Sequence, residues 1–402
     1  MRKVLVTGAC GYIGSNLRKY LAGKGYDVYG LTSKSVEAAK MYRVDLTDVE
    51  KVFEVFVSVK TDVVVHAAGL SSLSECERNP ELAMRINVET TRGIVAALSK
   101  MGQGAKLVFL SSDYVFDGER GNYAEGDEVN PRTVYGRTKV LAETVIREHL
   151  ENYIICRTAN VYSRGGNFFT LILEALEQDR TVDVFDDVFF TPTYIDYLLD
   201  SLRALIELDF KGVIHVAGRE RMSRYGFALK VADVLGKDQA LVRSIQQGTG
   251  LIARDSSLNC EYSRKLLSNY WPSVEESLHY CFGDLVQPYF CSVDERGAML
   301  GIFQGYKWEE INYVESTKGS VRGNHYHKET TEGFFVIDGK IKVTLVNMTK
   351  DSKRTFVAKK GDIMLIKPDT IHTFEMLENS KWINILSKPL SEKPKDIHSH
   401  HR

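Results

Sequence analysis

The sequence predicts an α/β chain with a doubly wound parallel sheet in its first part and an all-β domain in its last quarter. From residue 1 to about 160, short β-branched runs alternate with longer amphipathic stretches. From about residue 291 to 388, short strands separated by turn signals replace this pattern. The chain of 402 residues also exceeds the length that one hydrophobic core usually serves. We therefore expect at least two domains of different architecture.

Five apolar runs in the first part have the length of strands, and helical spacing fills the segments between them. Strands that are buried on both faces read as nearly continuous apolar runs, which is typical of parallel sheets covered by helices. The runs are residues 4–6, 28–31, 63–66, 107–110 and 153–157, and the clearest helical segments are 15–24, 81–99 and 134–151.

The C-terminal region is punctuated by turn signals at residues 338–339, 360–361 and 368–369. This regularity predicts a β-barrel or jelly roll of roughly 100 residues. We expect a first domain over residues 1–285, including a lobe at about 160–285, and a second domain over 290–390. The polar residues 391–402 are expected to form a frayed tail.

Composition excludes several classes of protein. Hydrophobic residues make up 44%, charged residues 26%, and the net charge is −1, which argues against nucleic acid or a membrane surface as a partner. The six cysteines show no CxxC spacing, which indicates reduced thiols. Glycines interrupt the N-terminal apolar stretch, which argues against a signal peptide, and no apolar run approaches the ~20 residues of a membrane helix. A cytoplasmic enzyme is the expected placement.

A glycine-rich segment, TGACGYIG at residues 7–14, lies between the first strand and the first helix. Glycine permits a tight turn and the close approach of a diphosphate, and the helix N-terminus supplies amide donors. We therefore predict a Rossmann-type dinucleotide site, the alternative being a glycine turn without a ligand. Its predicted contacts are Gly8, Gly11, Tyr12, Ile13 and Gly14.

The end of the second strand bears on the identity of the dinucleotide. An acidic residue there would accept the ribose hydroxyls of NAD, but the chain has Ser33 and Lys34. A hydroxyl and an ammonium suit a 2′-phosphate, which favours NADPH and leaves NADH possible. An ordinary solvated loop is the alternative. Further cofactor contacts are predicted where later strands end, at Asp45, Leu46, Ala67 and Ala68.

Tyr135 and Lys139 are four residues apart in a predicted helix, so their side chains share one face. Reduction of a carbonyl requires a hydride on carbon and a proton on oxygen. A phenol is a poor acid at neutral pH unless a cation stabilises its anion, and a lysine one turn away provides that cation. Ser112, which ends the fifth strand, is predicted to orient the carbonyl, with Ser111 in reserve.

Several motifs resemble the extended short-chain dehydrogenase/reductases that act on nucleotide sugars, and among them dTDP-4-dehydrorhamnose reductase. The motifs are TGACGYIGSNL, VVVHAAGLSS, LSSDYVFDG and YGRTK, and the resemblance covers about residues 1–285. It implies that Ser112, Tyr135 and Lys139 are catalytic, that NAD(P)H donates the hydride, and that residues 160–285 hold a sugar-nucleotide pocket. Arg224 and Arg254 are candidates for diphosphate contact, with surface ion pairs as the alternative.

Three histidines and a glutamate form a second candidate site. Residues two apart in a strand face the same side, so His325 and His327 are expected to point together. With Glu332 and His372 added from other strands, the set suits Zn²⁺, Fe²⁺, Mn²⁺ or Ni²⁺, and we expect zinc. Solvated or core histidines are the alternative.

The segment from Gly319 to Gly339 follows the spacing G-X5-H-X-H-X4-E-X6-G and resembles the cupin family. The second cupin motif is met only in part, because Thr370 replaces its glycine. Residues 322–326 also resemble sugar-nucleotide 3,5-epimerases, and residues 325–328 resemble 3,4-ketoisomerases.

A reductase followed by a cupin resembles the bifunctional enzymes that make precursors of capsule polysaccharides. That resemblance implies epimerisation beside a ketone by the cupin and reduction of the ketone by the first domain. His325 or His327 would be the base, or Tyr326 or Lys328 if a metal holds both histidines. The alternatives are a non-catalytic cupin for binding or dimerisation, and a cupin that acts as a 3,4-ketoisomerase. A further alternative is a first domain that is an epimerase or dehydratase and returns its hydride to the same sugar. A homodimer is expected.

Overall fold

The computed structural model of the chain describes residues 2–34, 38–102, 104–165, 167–248, 250–294, 296–349, 352–389 and 396–399. Contacts divide the chain into two compact units. The first contains residues 1–229, 240–267 and 271–274, and the second contains residues 230–239, 268–270 and 275–402. The second unit starts before the expected boundary at residue 285, since Tyr280 and Leu285 pack into the core of the C-terminal strands.

A seven-stranded parallel sheet forms the centre of the first unit and confirms the predicted doubly wound architecture. The order reverses beside the first strand, and in such sheets ligands bind where this reversal occurs at the carboxyl edge. In spatial order the strands are Gly212–His215, Tyr153–Thr158, Lys106–Ser112, Val63–His66, Lys3–Thr7, Asp27–Thr32 and Met41–Arg43.

Helices cover the sheet, and several of them bury a stripe of apolar residues against it. The helix Val49–Val59 is typical, because it buries Val52, Phe56 and Val59 and begins at Asp48, whose side chain accepts from the Lys51 amide. The helices of the first unit include Tyr12–Gly23, Val49–Val59, Leu73–Arg78, Pro80–Met84, Thr90–Met101, Val134–His149, Asn167–Glu177, Ile195–Glu207 and Glu261–Leu267, with a π-helical turn at Arg85–Glu89 and a 3₁₀ turn at Asp113–Val115. The helices Arg224–Leu235 and Val274–Phe282 span the division between the units, and a further 3₁₀ turn is at Gln239–Leu241.

Three short strand pairs lie in the region expected to form the substrate lobe. Val161–Tyr162 pairs with Thr193–Tyr194, Phe189–Phe190 with Met222–Ser223, and Val182–Phe185 with Val242–Ile245.

Antiparallel sheets build the second unit, which confirms the prediction of an all-β C-terminal region. Side chains from a four-stranded and a five-stranded sheet form one core, with Phe334, Phe374 and Trp382 at its centre. The four-stranded sheet has the order Glu310–Ser316, Ser380–Leu386, Glu332–Asp338, Ile363–Ile366. The five-stranded sheet has the order Ser352–Lys359, Lys340–Asn347, Thr370–Met376, Val321–Tyr326, His398–Ser399, and a separate hairpin joins Phe290–Asp294 to Gly297–Gly301.

Part of the expected frayed tail is ordered, because His398–Ser399 adds to the strand Val321–Tyr326. Across the described ranges, no helix has both the length and the apolar character needed to span a membrane.

Candidate active site

The glycine segment forms a tight turn at the carboxyl edge of the parallel sheet. Gly8 adopts a φ of +63°, and its carbonyl accepts from the Gly11 amide at 2.8 Å. A Cβ on Gly14 would lie 2.3 Å from the Gly8 oxygen, and one on Gly8 would lie 2.7 Å from the backbone of Ala68. No described side chain caps the helix that begins at Tyr12. Close backbone packing and uncapped amides together fit a diphosphate.

A cavity of about 540 Å³ opens beside this turn and contains part of the predicted cofactor set together with the whole predicted catalytic set. Among its lining residues are Gly11, Tyr12, Ile13, Gly14, Ala67, Ser112, Tyr135 and Lys139. Gly8 and Ala68 pack against each other behind it.

Four other predicted cofactor residues do not line the cavity. Ser33 and Lys34 are exposed just after the strand Asp27–Thr32. Asp45 accepts from the amide and hydroxyl of Thr47, and these hydrogen bonds lower the pKa of its carboxyl. Leu46 is buried in the core of the first unit.

Tyr135 and Lys139 project from the helix Val134–His149 into the cavity. The Lys139 Nζ lies 5.8 Å from the centre of the Tyr135 ring and donates to the Leu110 carbonyl at 3.0 Å. Burial lowers the pKa of Lys139 to about 8, while the Glu143 carboxylate acts to raise it. Burial also raises the pKa of Tyr135, and a hydrogen bond with Ser112 opposes that shift.

Asp113 is a site residue that the sequence analysis missed. Its buried carboxyl accepts from the Ser112 hydroxyl at 2.8 Å and from the Ser256 hydroxyl at 2.5 Å. Burial raises the pKa of Asp113 to about 6, against the effect of these two serines. Its position directly after Ser112 was the only signal in the sequence.

Ser111, the reserve candidate, points to a buried ion pair. Its hydroxyl donates to Glu143 at 2.6 Å, and Glu143 also accepts from Arg157 Nε at 2.9 Å and Nη2 at 2.7 Å. Ser112 is therefore the serine that interacts with Tyr135.

The far wall of the cavity is aromatic, and one arginine lies against it. The Arg224 guanidinium sits 4.7 Å from the centre of the Phe168 ring, and its buried Nε makes no hydrogen bond to any residue that the structure describes. Arg254 lines a separate cavity of about 660 Å³. The wall, which was not predicted, comprises Tyr162, Phe168, Phe169, Phe190 and Phe227.

The second unit brings together the four predicted metal ligands, with one ligand atom from each within 4.8 Å of the others. Glu332 Oε2 lies 3.0 Å from His372 Nε2 and 3.3 Å from His327 Nε2. His327, Glu332 and His372 are buried, and His325 is half-buried. The strand Val321–Tyr326 ends before His327, so the alternation expected from the sequence does not by itself align the two imidazoles.

The donor set fits a divalent ion. His327 Nε2 and Glu332 Oε2 are buried without a well-directed hydrogen bond in the described parts of the chain. Burial lowers the pKa of His372 to about 4, which keeps that imidazole neutral and able to bind a metal.

A parallel sheet with a glycine turn and a Ser–Tyr–Lys set in one cavity defines the extended short-chain dehydrogenase/reductase class. The chain belongs to the family described as RmlD substrate binding domain, whose model matches residues 1–285. Residues 292–386 match a family described as Polysaccharide biosynthesis C-terminal domain.

Known proteins resemble the first unit in sequence and structure. The spore coat polysaccharide biosynthesis protein SpsK of Bacillus subtilis is 34% identical over 247 residues, which are 60% of this chain and 82% of SpsK. The dTDP-4-dehydrorhamnose reductase of Mycobacterium tuberculosis is 32% identical over 254 residues, 60% of this chain and 79% of that protein. A crystal structure of the Bacillus anthracis dTDP-4-dehydrorhamnose reductase in complex with NADP has a TM-score of 0.63 and 27% identity, covering 70% of this chain and 99% of that one.

Proposed function

We propose that the first unit reduces the ketone of a 4-keto-hexose nucleotide with NADPH. The observation that carries this proposal is the presence of Ser112, Tyr135 and Lys139 in the same cavity as the glycine turn. The reductase names of the relatives and the NADP complex of a similar structure support it.

The residues of this chain have distinct roles in the proposed reaction. Bound NADPH supplies the hydride. Tyr135 gives a proton to the carbonyl oxygen as negative charge develops there, and Ser112 orients that oxygen. The Lys139 cation would stabilise the resulting phenolate and would also bind the cofactor ribose. Gly11 and the helix N-terminus at Tyr12 would bind the cofactor diphosphate.

The cavity also suits the proposed substrate. The hexose would stack on the aromatic wall defined above, because sugar rings present apolar faces. Arg224 would pair with the substrate diphosphate, since its Nε is buried without a described partner and arginine binds phosphate oxygens in a planar fork.

Removal of the Tyr135 hydroxyl group tests the proposed reductase activity. We expect Tyr135→Phe to lower kcat by at least ~10²-fold, because the ketone loses its proton donor. The measurement is NADPH oxidation with a panel of 4-keto-6-deoxyhexose nucleotides. Tyr262→Phe, at an exposed tyrosine in the same unit, is the matched control. Undiminished turnover in Tyr135→Phe would contradict the assignment.

We also propose that the second unit is a metal-binding cupin that epimerises the carbon beside the ketone. His325, His327, Glu332 and His372 would hold the ion, and the ion would supply Lewis-acid chemistry to a carbonyl of the substrate. With both histidines of the HxH pair on the metal, Tyr326 or Lys328 is left as the base. The family of residues 292–386 supports a role in making precursors of surface polysaccharides.

Deuterium exchange tests the second unit. In D₂O, with the Tyr135→Phe variant to stop reduction, solvent deuterium is expected to enter the sugar beside the ketone. Adding His372→Ala should abolish this exchange, because the ion loses a buried ligand. Exchange that persists without His372 favours the alternative, in which the C-terminal unit binds substrate or forms the expected homodimer without catalysing.

A further inference from the structure

The C-terminal residues 396–399 lie against the predicted metal ligands. His398–Ser399 forms a short antiparallel pairing with the strand Val321–Tyr326, in which His325 faces Ser399 and Tyr326 faces His398. The Tyr326 and His398 rings stack with their centres 5.2 Å apart. Residues of the expected polar tail thus lie beside the HxH pair.

The Asp396 carboxylate is surrounded by donors from the loop between two of the ligands. It accepts from the amides of Lys328 and Glu329 at 2.9 Å each, and from the amide and hydroxyl of Thr330 at 2.8 Å each. Successive amides that converge on one anion form a strong binding nest. Although partial burial acts to raise it, these donors hold the pKa of Asp396 well below its usual range.

The backbone of the same residue contacts a ligand directly. His327 Nδ1 donates to the Asp396 carbonyl oxygen. A metal-bound imidazole is neutral and carries one hydrogen, so in that state this bond leaves His327 Nε2 as the nitrogen with the lone pair. That nitrogen is the one that faces Glu332 at 3.3 Å.

We propose that Asp396 is a positioning residue for the metal centre. Its backbone carbonyl fixes the tautomer of His327, and its carboxylate binds the loop 328–330, which joins His327 to Glu332. The inference rests on the metal site proposed above. Partners that orient metal-bound histidines typically change metal affinity by about 10- to 100-fold when they are lost. The Asp396 carbonyl accepts from the second ring nitrogen of His327, which is where partners that orient metal-binding histidines are found.

Metal titration of the full chain tests this inference. Asp396→Ala keeps the backbone carbonyl but removes the carboxylate that anchors residue 396 to the loop 328–330 and so places that carbonyl on His327. We therefore expect this variant to bind Zn²⁺ about 10- to 100-fold more weakly than the unchanged chain by calorimetry. The visible absorption of bound Co²⁺ is expected to change as well, because the ligand geometry changes. Asp338→Ala removes an exposed acidic residue from the same unit and should leave both readouts unchanged.

Asp396→Asn is a second, conservative variant for the same measurement. Asp396→Asn keeps the size of the side chain but removes its charge, so it carries the test if the alanine variant does not fold. Tight Zn²⁺ binding by the unchanged chain and equal binding by both Asp396 variants would overturn the positioning role alone. An unchanged chain that binds neither Zn²⁺ nor Co²⁺ would overturn the proposed metal site, and this inference with it.

Discussion

Ser112 has one hydroxyl hydrogen, and in the structure the hydroxyl donates it in a hydrogen bond to the Asp113 carboxyl. An ionised carboxylate is a stronger acceptor than a ketone, so Ser112 cannot easily donate to a substrate while Asp113 is charged. Protonation of Asp113 would release the Ser112 hydrogen for the substrate. The orienting role assigned to Ser112 from the sequence therefore depends on a neighbour whose pKa burial raises to about 6.

The buried carboxyl of Asp113 also predicts a dependence of stability on pH. The folded protein binds a proton between pH 3.8, the ordinary pKa of the group, and about 6, whereas the unfolded chain has already released it. The free energy of unfolding therefore falls as pH rises through this window, by about 3 kcal/mol. Asp113→Asn is expected to stabilise the first unit at pH 7 and to have little effect at pH 4.

Urea unfolding at both pH values measures this difference. Asp209→Asn, at an exposed acidic residue of the first unit, provides the comparison. A gain in stability for Asp113→Asn that is equal at the two pH values would rule out titration of Asp113 as the cause.

The helix Val134–His149 links the proposed catalytic residues to a buried ion pair. Tyr135, Lys139 and Glu143 follow one another at intervals of four and therefore share one face. The Glu143 carboxylate raises the pKa of Lys139 against the effect of burial, and the Arg157 guanidinium holds Glu143 in place. The charge of Lys139 thus depends on Glu143, one turn further along the helix, and on Arg157, which lies on the strand Tyr153–Thr158.

Glu143→Gln is expected to shift the pH profile of the reductase. Activity should fall as pH rises through about 8, because Lys139 loses its proton there. Removal of the Glu143 charge lowers the pKa of Lys139 further, so the falling limb of kcat/KM should move to lower pH. Arg157 loses its buried partner in the same variant, at a cost of about 3–5 kcal/mol of stability.

The dependence of kcat/KM on pH is measured at a temperature at which Glu143→Gln still binds NADPH and is therefore folded. Glu148→Gln changes an acid on the same helix that is not part of the buried pair, and it is the control. A limb that stays in place in Glu143→Gln would show that Glu143 does not set the charge of Lys139.

The whole molecule combines two units with separate cores, and each unit has its own candidate site. Ligands that bind only the folded state stabilise it, by about 2.7 kcal/mol at one hundred times the dissociation constant. We expect NADP⁺ to raise the melting temperature of the first unit and Zn²⁺ to raise that of the second. Calorimetry should show this, and His372→Ala should remove only the effect of Zn²⁺. One transition that both ligands raise equally would contradict this division.

Much of the fold and part of the site could be read from local patterns. The apolar runs, the glycine turn and the four-residue spacing of Tyr135 and Lys139 are properties of single elements, and the structure has a sheet, a turn and a helix at those places. The spacing of residues 319–339 likewise predicted His325 and His327 as a candidate pair of ligands. Asp113 was missed because an acidic residue after a strand is common, and only burial makes it unusual.

The sequence alone determined the class of the two folds, the dinucleotide turn and the residue types of both candidate sites, because periodicity and spacing express local geometry. Only the tertiary structure decided which groups meet: Ser256 with Asp113, Glu143 with Arg157, and Asp396 with the loop beside His327. These partners lie from 14 to 143 residues apart along the chain. Local sequence spacing cannot predict such long-range contacts, because they depend on how whole elements pack. The burial that results then shifts the pKa values of the groups in the site.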